Sequence, residues 1–102
     1  MSGIQRGYGY QYETVAAAQS LQVLGNAGAA GDYLHRLIVT VNTAATSGVS
    51  ITDGATNISL VPANVGSGVG VITIEVNAAS ISSGWKVTTG AGVTVVAVGQ
   101  FS

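Results

Sequence analysis

The chain has 102 residues, of which 47% are hydrophobic and 15 are glycine, and its net charge is −1. Only seven residues are charged, Arg6, Glu13, Asp32, Arg36, Asp53, Glu75 and Lys86, where an ordinary soluble domain carries about 25%. This composition argues against a dense basic surface for nucleic acid, against a disulfide or thiolate–metal framework in a chain without cysteine, and against a spanning helix, since no apolar run approaches about 18 residues.

The length allows one domain with one core. Met1 to Tyr8 lacks the apolar run of a signal peptide, so the chain reads as neither secreted by the general route nor embedded in a membrane. Residues 1–20 differ in composition from the rest and are expected to form an extended N-terminal arm. Within it Tyr8, Tyr10 and Tyr12 alternate with Gly9 and Gln11. In extended backbone that spacing puts all three rings on one side. The run Glu13–Ser20 has helix-favouring alanines but no apolar stripe, so no helix is assigned.

From Leu21 to Ser102 the chain reads as a β-sandwich domain. Val, Ile and Thr runs are punctuated by Gly, Asn and Asp. Leu21–Leu24 is a short strand and Asn26–Gly31 a small-residue loop. Tyr33–Asn42 is the strongest strand, with Leu37, Val39 and Val41 on one face and Arg36, Ile38, Thr40 and Asn42 on the other. A hairpin centred on Asp53-Gly54 joins Val49–Thr52 to Asn57–Val61, and Pro62 ends it. Val69–Asn77 follows, with Ile72, Ile74 and Val76 inward. A second hairpin, around Gly90-Ala91-Gly92, joins Trp85–Thr89 to Val93–Phe101. Both faces of that last strand are partly apolar, which predicts cover on both sides. The sum is an all-β fold, a single sandwich or jelly-roll-like domain of about seven strands.

Catalytic chemistry finds little support. His35 is the sole histidine; Asp32 stands three residues before it, but no oriented nucleophile accompanies them. Asp32, Asp53 and Glu75 are oxygen ligands or acid–base groups in principle, yet they do not cluster in the chain. Asp53 is assigned to its turn and Glu75 to an outward strand face. Gly66–Gly70 lacks the Lys-Ser/Thr of a phosphate loop. The lone Trp85 reads as a core anchor; the competing reading is a sugar-stacking platform. No catalytic, metal or cofactor residue is therefore assigned, and the chain is read as a non-enzyme without a cofactor. The tyrosine ladder Tyr8, Tyr10, Tyr12 is the one candidate partner-binding element, since tyrosine is enriched at interfaces. Its alternative is a segment folded back on its own domain.

The segments Tyr12–Ala17, Gln22–Gly25, Gly31–Leu37, Ile51–Gly54 and Gly84–Phe101 resemble, in spacing and composition, small structural proteins of tailed-bacteriophage virions. Head decoration or cement proteins are similar in size and β-rich character. The resemblance implies a homo-oligomer, with a trimer favoured, bound to the major capsid protein on the outside of the capsid, and present in the host cytoplasm during assembly. It implies no nucleic-acid or membrane partner and transfers no individual residue. The expected function is thus capsid decoration. The alternatives are a tail or fibre component, or a carbohydrate-binding module for host attachment that uses Trp85 and loop aromatics.

Overall fold

A computed structural model describes residues 10–42, 48–61 and 70–102 of the chain. Eight strands run through them: β1 (Gln11–Val15), β2 (Gln22–Val23), β3 (Tyr33–Val41), β4 (Val49–Asp53), β5 (Thr56–Val61), β6 (Gly70–Ala79), β7 (Trp85–Thr88) and β8 (Val93–Gln100). They form two four-stranded antiparallel sheets, in the orders β1-β8-β3-β6 and β2-β7-β4-β5. The pairs β1–β8, β2–β7, β3–β6 and β4–β5 are those of one long hairpin folded at the β4–β5 turn. Rolling that hairpin sends successive pairs to alternate sheets, which is the jelly roll.

The core follows from period-two alternation. On β3, Leu34, Leu37, Val39 and Val41 face the interior, and on β8 Val93, Val95 and Ala97 do. Val49, Ile51, Val87 and Trp85 meet them from the second sheet. Phe101 and Leu24 close one end.

Four sequence expectations are corrected. The arm expected over residues 1–20 is not detached in its described part, because Gln11–Val15 is an edge strand paired with β8. Val15 is buried there, and the inward Glu13 carboxylate accepts from Gln22 Nε2 (3.0 Å) and Gly25 N (2.7 Å). An inward glutamate satisfied in this way leaves no apolar alternation to read, so the strand is silent in the sequence. The β4–β5 turn is centred one residue later than expected: Asp53 pairs with Thr56, leaving Gly54-Ala55 as the two-residue loop. Gly54 has φ +62° and Ala55 does not share it, so the turn is of the kind with glycine at its first central position. Residues 85–101 form no hairpin. β7 and β8 lie in different sheets, and the Gly90–Gly92 turn carries the chain between them. Finally, β8 is covered on its inner side only, since Val96 and Val98 on the outer side remain half-buried. Tyr8, Pro62 and Gly66–Val69 lie outside the described residues.

Candidate interaction surface

The outer face of the β1-β8-β3-β6 sheet is read from its registers. One row crosses Tyr12, Val98, Arg36 and Glu75. The next crosses Thr14, Val96, Ile38 and Thr73. A third crosses Thr94, Thr40 and Val71. Tyr12 is 72% exposed and Val71 64%. Ile72, on the other side of the same edge strand as the sequence predicts, opposite Val39, is 42% exposed. β6 is ten residues long with one charge, Glu75. A long edge strand with few charges is a template for another strand.

The acids explain why this face has so little charge near it. Of the four Asp and Glu residues in the chain, three point into the fold. Glu13 ties β1 to β2 as described. Asp32 accepts from Ala29 N (3.1 Å), Ser102 N (3.1 Å) and Ser102 Oγ (2.7 Å), so it anchors Ser102. Asp53 accepts from Ser80 Oγ (2.6 Å), Ile81 N (2.9 Å) and Ser83 N (3.4 Å). The Ser80 hydroxyl is the main cause that holds the Asp53 carboxyl below its ordinary range; burial opposes it, and the Ile81, Ser83 and Ser82 amides reinforce it. Ser80 Oγ in turn accepts from Gly84 N (2.8 Å), so the Ser80–Gly84 loop is wound around one carboxylate. Among the described residues, the charged side chains left toward solvent are Arg36, Glu75 and Lys86.

The residues weighed for chemistry do not converge. Asp32 is occupied with Ser102, and His35 bonds through Nδ1 to Asn77 Oδ1 (2.8 Å). Glu75 sits opposite Arg36 on the outer face. Among the described residues no three His, Asp or Glu side chains gather as a metal site would require. Trp85 is 3% exposed and donates Nε1–H to Asp32 O (3.1 Å), which makes it a core residue and removes it as a sugar platform. An open groove of about 660 Å3 on the second sheet is lined by uncharged side chains, including Gln19, Ser50, Asn57 and Thr88.

Of the tyrosine ladder, Tyr10 and Tyr12 share the outer side but have different surroundings. Tyr12 stands free. Tyr10 stacks on His35 (ring centroids 4.7 Å apart, 29° between planes) and lies 5.8 Å from Tyr33. His35 occupies a register shift between Leu34 and Arg36, and such a bulge re-aims a side chain. Asn77 has φ +52°, a conformation that asparagine tolerates better than most residues. Its Oδ1 also accepts from Tyr33 Oη (3.0 Å). Neither His35 in this role nor Asn77 was legible as a cluster member. The signal available was an asparagine inside a Val/Ile strand, a residue type depleted from strands.

The chain matches no protein-family model, and searches of curated proteins and of solved structures returned no match.

Proposed function

We propose that this protein is a structural component of a virion, a capsid decoration protein that joins sister copies and the major capsid protein through β6 and the adjoining outer face of its sheet. The carrying observation is the disposition of charge. Three of four acids are consumed inside the fold, while Val71, Ile72 and Tyr12 stand in solvent. A partner that covers Val71, Ile72 and Ile38 removes apolar surface from water at about 25 cal/mol per Å2. Among the described charges it desolvates only the neighbouring Arg36 and Glu75, which stand opposite one another. The peptide groups on the side of β6 that pairs with no described strand supply directional bonds to an added strand. Repetition around a symmetric shell multiplies a modest gain per copy.

The jelly roll is used by viral capsid proteins and by lectins. Fold alone assigns no function, and the phage assignment rests on the resemblance of sequence segments. The test is co-sedimentation of the purified chain with capsids assembled from the major capsid protein of the same genome. Ile38→Lys and Val71→Lys place a charge on the exposed face without touching the core. Each should abolish binding while leaving the melting curve in place. Unchanged binding by both would refute the assigned face.

A further inference from the structure

The end of the sheet away from Val71 carries a second, chemically distinct feature. Tyr33 and His35 lie near the start of β3, and Val71 pairs with Thr40. At about 3.3 Å per residue the two sites are roughly 20 Å apart along the strand. Tyr10, Tyr33 and His35 form a stack of three rings that is held open to solvent: Tyr10 is 48% exposed and Asn77 is exposed. An aromatic cluster that served only to fasten β1 would be expected to bury its rings in the core, as Trp85 does.

The polar groups around the rings are fixed by one atom. Asn77 Oδ1 accepts from both Tyr33 Oη and His35 Nδ1. A carbonyl oxygen cannot donate, so this contact places a proton on Nδ1, and Nε2 makes no hydrogen bond to the described residues. The same contact orients the amide so that its Nδ2 group keeps its donors for a ligand. The left-handed Asn77 backbone and the His35 bulge are the two local irregularities that set this geometry. Local strain of this kind concentrates at binding sites.

An open ring face, an imidazole nitrogen and an amide NH2 group in one place describe a definite ligand chemistry. A nucleic acid would need cations, and among the described residues the cation beside the cluster on β3, Arg36, faces Glu75. A neutral pyranose would match this set, with its axial C–H face on the Tyr10 ring, one hydroxyl donating to His35 Nε2 and a neighbouring one accepting from Asn77 Nδ2. We infer that Tyr10, Tyr33, His35 and Asn77 form a binding site for a neutral β-linked hexose oligomer. β-Linkage with equatorial substituents leaves the flat C–H face that such stacking requires.

The experiment titrates the full chain with cellotetraose, laminaritetraose and chitotetraose, following its 1H–15N and ring proton NMR signals. At least one should produce saturable shifts centred on Tyr10, His35 and Asn77, while an oligothymidylate produces none. Tyr10→Ala should weaken that binding about fivefold or more, as expected for loss of a stacked ring, and Tyr10→Phe should retain it. Asn77→Gly accepts the left-handed backbone and removes the amide. It should therefore weaken binding in a chain that still folds. Absence of saturable shifts with all three oligosaccharides would overturn the proposal, as would shifts that map to the second sheet or binding that survives both Tyr10→Ala and Asn77→Gly. Ile38→Lys and Val71→Lys, the variants expected to abolish capsid co-sedimentation, should leave the oligosaccharide-induced shifts in place, so this site and the β6 face fail or stand separately.

Discussion

Replacing Asp53 by Asn tests the internal use of charge in this fold. The carboxylate accepts from the Ser80 hydroxyl and from the Ile81 and Ser83 amides, and it is 7% exposed. Hydrogen bonds to a charged group are worth about 1.5–3 kcal/mol each, and a buried donor left unpaired costs about 1–3 kcal/mol. Asparagine keeps one acceptor oxygen but turns an NH2 group toward a donor. The expected loss is about 2–4 kcal/mol, allowing for rotation of the Ser80 hydroxyl. For a domain of this size that lowers Tm by about 10–25 °C. The pH dependence adds a sharper signature. The folded-state pKa of Asp53 lies below its ordinary value of 3.8. Its contribution is therefore fully present above the unfolded-state pKa of about 3.9, and it is lost as pH falls through the lower folded value. The gap in stability between wild type and Asp53→Asn should be constant above about pH 5 and narrow on acidification. Thermal melts by circular dichroism at a series of pH values measure this. An unchanged Tm at neutral pH, or a gap that does not narrow in acid, would refute the reasoning.

Glu13→Ala removes the acceptor shared by Gln22 Nε2 and Gly25 N. Hydrogen exchange should then accelerate across Gln11–Val15 and at Gly25, with a loss of about 1–3 kcal/mol in chemical denaturation. Gly54→Ala puts a Cβ against Ser82 Oγ and Cβ at a residue with φ +62°; the cost should be about 1–2 kcal/mol, seen as a lower denaturation midpoint. Trp85, the single tryptophan, is buried with its N–H bonded. Its emission should be blue-shifted in the native state and move red in the same transition that circular dichroism follows.

Much of the architecture was legible because β3 and β8 alternate cleanly: Leu37, Val39 and Val41 against Val93, Val95 and Ala97 name the core with no need of topology. What the sequence could not carry was the pairing of strands distant in the chain. Gly90-Ala91-Gly92 looks like a hairpin turn, because glycine permits positive φ in a hairpin and in a crossover alike. β1 was hidden because its inward side holds Glu13, whose partners, Gln22 and Gly25, lie beyond the strand itself. The tyrosine spacing correctly put Tyr10 and Tyr12 on one side. The partners of Tyr10 came from β3 and β6, where a bulge at His35 and a left-handed Asn77 break the periodicity that makes strands readable. Asp53 was expected at the centre of its turn but is the last paired residue of β4, and its bonds to Ser80, Ile81 and Ser83 span some thirty positions of chain, where local pattern does not reach.

The central claim, that the charge-poor β6 side of the sheet is an assembly surface, is tested most directly by cryo-electron microscopy of the intact particle. The account predicts a jelly roll on the outer shell with Ile38, Val71 and Ile72 covered by a sister copy or by the major capsid protein. A particle that lacks the chain, or one that carries it with β6 and the Ile38 face turned to solvent, would contradict it.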